Sequence, residues 1–206
     1  MSVSPTDVVR SAELGRATLL PAVAADWDTA VPDQARSCRE LVDHIVSTSV
    51  TYALHLANEA TGPLPKVRQH DPGPPVRALL DLVPAAAGIL AAVARGAGPG
   101  ARGYHPAGMA DAEGFCAMGC DEILVHTHDL AAALGLAPFQ PPRDLAARVL
   151  RRLFPWAPDG TEPWPTLLWA NGRAVLSDRA RLDPDWGWHC APLDEWDGTV
   201  ASAGRA

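Results

Sequence analysis

Apolar residues recur every three or four positions over four long stretches of this chain, and Pro and Gly mark the breaks between them. The first stretch covers residues 5–25, with Val8, Val9, Leu14, Leu19 and Leu20 on its apolar stripe. The second covers 37–59: Ser37 and Glu40 have the spacing of a capping box, and Gly62, Pro63 and Pro65 stop the helix. The third spans 76–95 and contains Pro84, which should kink it. A Gly-rich run, GAGPGARG, separates it from the fourth, 108–134, which Gly135 and Pro138 close. Residues 64–75 hold four prolines and are expected to be irregular.

After residue 138 the texture changes. The pattern predicts a shorter helix over 142–153, with Pro142 in its first turn, and a further helical turn over 166–170. From Arg173 to Trp196 the chain alternates and turns as short strands or extended segments do. Six of the seven tryptophans lie from Trp156 onward, so they either pack this tail onto the helices or line a ligand pocket. The expected fold is therefore all-α: a helical unit over 1–138, then a C-terminal helix and a short Trp-rich extension over 139–206 that packs on it, with small strands possible.

Composition narrows the function classes. A chain of 206 residues, 48% hydrophobic and 20% charged, can bury one sizeable core. A net charge of −7 and scattered arginines argue against nucleic acid, which needs a clustered basic face. Arg148, Arg151 and Arg152 form one short cluster, read as a solvated helix face. The N-terminus lacks the pattern of a signal peptide, and the longest apolar run, residues 83–94, is too short to span a bilayer, so a cytoplasmic protein with no membrane partner is expected. Cys38, Cys116, Cys120 and Cys190 show no CxxC pair and read as reduced, buried thiols.

The candidate chemistry lies on the second and fourth helices. Glu122 and His126 are one turn apart and only about 40° apart around the helix axis, so both can reach one interior point. Phe115, Met118, Asp129 and Ala133 share that stripe, which should face inward. A carboxylate and an imidazole on a core face need compensation, and a metal ion supplies it. Leu41, His44, Thr48, Tyr52 and His55 form one broad face of the second helix. His55 is about 16 Å along the axis from His44, too far to share a ligand shell. His128, Cys116 and Cys120 project away from the Glu122 stripe. Asp129 could orient His126 or cap the helix end, and Thr48 and Tyr52 could bring hydroxyls near the site. His105 could stand at a pocket mouth, and Arg173, Arg179 and Arg181 could clamp an anionic substrate.

Two segments carry a family resemblance. CRELVDHIVSTSVTYALHLA and CDEILVHTHDLAAALGL resemble the two signatures of the DinB and mycothiol-dependent maleylpyruvate isomerase superfamily, matching at His44, Glu122, His126 and Asp129, with Trp27 fitting an early tryptophan. The resemblance covers residues 5–138. It implies an up-down-down-up four-helix bundle and a divalent metal on His44, Glu122 and His126, usually completed by water. The tail after Ala137 is shorter and richer in Trp than the C-terminal domain of the full isomerases, which points away from maleylpyruvate itself.

Two imidazoles and a carboxylate leave open positions, the pattern of a catalytic site. Zn is the first expectation, with Ni, Mn or Fe suiting the same donors. The leading functional expectation is a metal-dependent thiol transferase or isomerase, acting on a small electrophile with a low-molecular-weight thiol such as mycothiol as co-substrate. The alternatives are a hydrolase on the same helices and a non-catalytic metal-binding or stress-response bundle. Monomer and homodimer are both compatible with the sequence.

Overall fold

A computed structural model describes residues 2–65, 73–176, 179–182 and 187–200. The chain is mostly helical, with α1 (Pro5–Leu19), α2 (Cys38–Ala57), α3 (Val76–Gly96), α4 (Ala112–Ala133), α5 (Arg143–Leu153) and α6 (Pro163–Ala170). A two-stranded antiparallel hairpin, β1 (Gly103–His105) and β2 (Gly108–Ala110), sits between α3 and α4.

Local chemistry sets most helix ends. Ser4 and Ser37 each form a reciprocal capping box, with Asp7 and Glu40 respectively, and the second of these is the one the sequence predicts. At the end of α4, Gly135 takes a φ of 68°, and the amides of Gly135 and Leu136 close back onto the carbonyls of Ala132 and Ala131. Pro84 lies within α3, as expected.

Four expectations need correction. The first α-helix ends at Leu19 rather than 25, continuing only as a 3-10 turn over Leu20–Ala22, because Pro21 has no amide to extend the ladder. The fourth begins at Ala112, not 108. Asp111 caps it by accepting from the Gly114 amide at 2.7 Å, while residues 108–110 pair with β1 and Gly108 supplies the φ of 131° that the hairpin requires. The last helical turn grows to eight residues, with Pro163 at its start. In the tail, the described residues contain one isolated bridge, Leu176–Arg179, and a 3-10 turn, Leu193–Glu195, but no strand. Trp186 and residues 66–72 of the Pro-rich loop lie outside the described residues.

α1 and α2 each pack against both α3 and α4, and α5 joins α4 to α6. Their shared core includes Val8, Leu41, Ile45, Leu80, Leu90, Phe115, Met118 and Ile123, each almost wholly removed from water. All four cysteines are free and buried, as expected. α3 is long and apolar enough to cross a membrane by length and composition, which the shorter run read from sequence does not convey. Here its Leu79, Leu80, Val83, Ala87 and Leu90 are buried inside the protein.

Of the arginine cluster of α5, Arg151 is exposed as expected, but Arg148 and Arg152 are not part of a solvated face. Arg152 is 2% exposed; it donates to Asp111 Oδ1 at 2.6 Å and to the carbonyls of His189 and Cys190, both at 3.1 Å. Arg148 reaches across to Asp7 on α1 at 2.6 Å. These long-range contacts win because a buried guanidinium must satisfy its donors, and two tail carbonyls and a helix cap provide the partners. Arg152 thereby fastens residues 189–190 beside the N-terminus of α4. Gly114 makes room for this: a Cβ there would lie 2.2 Å from the Cys190 carbonyl oxygen.

Candidate metal centre

α2 and α4 bring His44, Glu122 and His126 together, with one donor atom from each lying within 4.8 Å of the others. Glu122 and His126 meet because they share one face of α4; His44 comes from the facing helix. Glu122 Oε2 lies 3.0 Å from His126 Nε2 and 3.3 Å from His44 Nε2. Neither contact has hydrogen-bond geometry, so this buried carboxylate oxygen has two ion-pair neighbours but no hydrogen-bond partner. Tetrahedral donors about 2.1 Å from one ion would stand about 3.4 Å apart, so the observed spacings fit a small divalent cation.

The surrounding contacts orient these donors. Asp129 Oδ2 stands 3.1 Å from His126 Nδ1, which places a proton on Nδ1 and fixes the ring with Nε2 toward Glu122. The same Asp129 oxygen accepts from Gln34 at 2.7 Å and from Arg173 at 3.2 Å. Thr48 Oγ1 lies 3.5 Å from His44 Nδ1, and the Tyr52 hydroxyl donates to Glu122 Oε1 at 3.4 Å. Tyr52 is both a core residue and a neighbour of the site.

Charge in the cluster is set by proximity. Burial pushes the Glu122 carboxyl up, but the His126 and His44 imidazoles beside it outweigh burial and hold it well below the carboxylate range. Burial pulls His126 down, yet Asp129 and Glu122 reverse that and raise it. Asp121, the next residue, behaves oppositely. Burial and the Glu122 charge push it to about 7, against opposing hydrogen bonds from Asn171 at 3.0 Å and Trp188 at 3.1 Å.

His44 and Glu122 line a cleft of about 1100 Å³ together with Arg36, Tyr52, His105 and Trp188, while His126 lines a smaller cavity on its other side. His105, in β1, packs at 5.6 Å on Tyr52 and 5.5 Å on Trp188, and burial lowers it to about 4, keeping it neutral. Among the described residues, Trp188 is the tail indole that lines the pocket, whereas Trp164 and Trp169 are buried packing residues.

The expected exclusions also hold among the described residues. His55 uses both ring nitrogens in local contacts, with the Thr51 carbonyl and the Leu64 amide. His128 packs against Trp164, and burial pushes the Cys116 thiol up to about 12. The three arginines do not gather at this cleft. Arg173 and Arg181 line a separate cavity of about 560 Å³ and bond to Asp129 and Asp33, while Arg179 lies over the Trp169 ring at 5.9 Å. Sequence reasoning missed Asp121, Asn171 and Gln34, and did not single out Trp188 among the six tryptophans of the tail. The adjacent acids Asp121-Glu122 inside an apolar helix are the signal that could have marked the first.

No protein-family model, curated protein or solved structure matches the chain.

Proposed function

We propose that the protein is a metal-dependent enzyme of the thiol S-transferase or isomerase type, with a small electrophile as substrate and a low-molecular-weight thiol, such as mycothiol, as co-substrate. The observation that carries this reading is the Glu122 oxygen without a hydrogen-bond partner, set between two imidazole nitrogens at the edge of an open cleft. A structural metal site is normally closed by protein donors, whereas a three-donor set with His44 and Glu122 on an open cleft leaves positions for exchangeable ligands. His44, Glu122 and His126 would hold the ion, with Zn favoured and Ni, Mn or Fe alternatives. The ion would supply Lewis-acid chemistry, favouring the thiolate of an approaching thiol.

The chain's own residues have distinct tasks. Asp129 fixes the His126 ring, and Thr48 positions His44. Tyr52 holds the second carboxylate oxygen of Glu122, so that Oε2 faces the imidazoles. Trp188, His105 and Tyr52 form an aromatic wall that limits water and orients a flat or unsaturated electrophile. The sequence resemblance supports the same reading, and with it we propose a DinB-like four-helix arrangement of α1 to α4 and a cytoplasmic location.

The test is elemental analysis of the purified wild type beside His44→Ala and Glu122→Ala, followed by thiol consumption against a panel of electrophiles. One divalent ion per wild-type chain, absent from both variants, and thiol consumption dependent on that ion are the expected results. Turnover that needs the metal but not the thiol would make the protein a hydrolase instead. A chain that takes up no metal would remove the basis of the proposal.

A further inference from the structure

α3 carries two apolar faces, and the protein's own core covers only one. Less than half of its most apolar window is buried. On the opposite side, Ala78, Leu82, Ala85, Ile89, Ala92 and Gly96 are all exposed, with Leu82 at 39% and Ile89 at 51%. Their successive spacings are four, three, four, three and four residues, the repeat of a helix-pairing seam. A Cβ placed on Gly88 or Gly96 would meet nothing within 4 Å, so the face is open. Exposed apolar stripes of this kind mark interaction surfaces.

We propose that this face pairs antiparallel with the same face of a second copy of the chain. The spacing pattern reads identically in both directions, so a two-fold axis near residue 87 matches the stripe to itself. The reversal sets Leu82 against Ala92, Ala85 against Ile89, and Ala78 against Gly96. Each large side chain meets a small one, which lets the two helices approach closely. The charges agree with this register. Asp81 and Arg95 flank the stripe on the same side, seven residues either side of Gly88. In an antiparallel pair the flanking positions of one helix face those of the other, so Asp81 of each copy faces Arg95 of its partner, twice by symmetry. Asp81 also pairs with Arg16 of its own chain, and its side chain is 49% exposed, leaving room for a second guanidinium. A lipid surface fits this face less well, because Asp81 borders the stripe and α3 carries only Arg77 and Arg95 as basic residues.

Light scattering on the eluting full-length protein, across a concentration series, tests the pairing. The expected mass is twice 21.7 kDa. Ile89→Arg should raise the dimer dissociation constant roughly 30-fold or more, with an unchanged helical circular dichroism spectrum, since Ile89 is half-exposed within one chain. Arg95→Asp should also weaken the dimer, by setting two acids together. Adding Asp81→Arg to it should restore association, because the exchanged charges are again complementary. A wild-type monomer at every concentration would overturn the proposal, whether or not it binds lipid vesicles. So would a dimer indifferent to Ile89→Arg, and failure of the double exchange to restore association would overturn the antiparallel register.

Discussion

Two buried charged clusters flank α4, and they differ in how completely their polar atoms are satisfied. At the N-terminus of the helix, Arg152 spreads its guanidinium over a carboxylate and two carbonyls. In the middle, Glu122 Oε2 stands between two imidazoles without a hydrogen bond. A saturated cluster has no capacity left for a ligand and serves to hold chain segments together. In an unsaturated one, an acceptor without a hydrogen bond keeps a lone pair that a further group can take up. The contrast separates a structural anchor from a candidate binding site without reference to any relative.

The largest expected effect tests the unsaturated cluster. Adding Zn²⁺ at about a thousand times its dissociation constant should stabilise the fold by about 4 kcal/mol, read as a rise in melting temperature. Chelation should reverse the rise. Glu122→Gln keeps the shape but removes the charge that attracts the ion, and it should abolish the shift. If that variant were stabilised by Zn²⁺ as much as wild type, the triad would not be where the ion binds.

The saturated cluster should respond in the opposite manner. Arg152→Met leaves Asp111 and two carbonyls without their partner, and should cost about 3 kcal/mol in denaturant unfolding. Gly114→Ala should have a smaller effect of the same kind, on the order of 2 kcal/mol, since its methyl would push the Cys190 carbonyl away. Metal affinity should change little in either variant, because neither residue touches the three donors. A tenfold loss of affinity in Arg152→Met, measured by calorimetry, would show instead that the tail shapes the metal site.

Asp129 sits between the two cases, bound by Gln34 and Arg173 yet touching His126. Asp129→Asn keeps a hydrogen-bonding group but loses the charge that fixes the imidazole. It should weaken metal binding about 10- to 100-fold, the usual cost of removing such a partner, and leave the stoichiometry at one ion. Unaltered affinity would reduce Asp129 to a helix-end contact.

This gradation explains what the sequence could convey. Glu122 and His126 share a helix, so spacing alone places them on one face, and the same arithmetic turns His128 and the cysteines away. The capping box of α2 is likewise a local pattern. His44 is different: no periodicity within one helix fixes its partner on another, and only the resemblance joined them in advance. Arg152 was misread because nothing in α5 reveals that its guanidinium meets carbonyls 37 and 38 residues later. Three-residue strands give no alternation to detect, so the hairpin is not legible in the sequence, and the apolar pattern runs Gly108 into the helix that Asp111 begins. Trp188 belongs to the same class, since its role depends on where the anchored tail lies.

The smallest predicted effect concerns a pair that lies between saturation and solvent. Burial pushes the Asp7 carboxyl up, but the Arg148 guanidinium and the Ser4 cap outweigh it and hold Asp7 below its ordinary value. A carboxyl lowered in the folded state stabilises fully above its unfolded pKa, about 3.9, and that contribution is lost as the pH falls through the lower folded value. Asp7→Asn should therefore cost on the order of 1 kcal/mol at pH 6, and the gap from wild type should close as the pH drops below 4. Denaturant unfolding at several pH values gives the comparison. A gap that stayed constant down to pH 3 would mean that Asp7 contributes through packing and helix capping alone. The ion pair with Arg148 would then bind α1 to α5 without adding charge-dependent stability, whereas the closing gap would place it with Arg152 among the anchors.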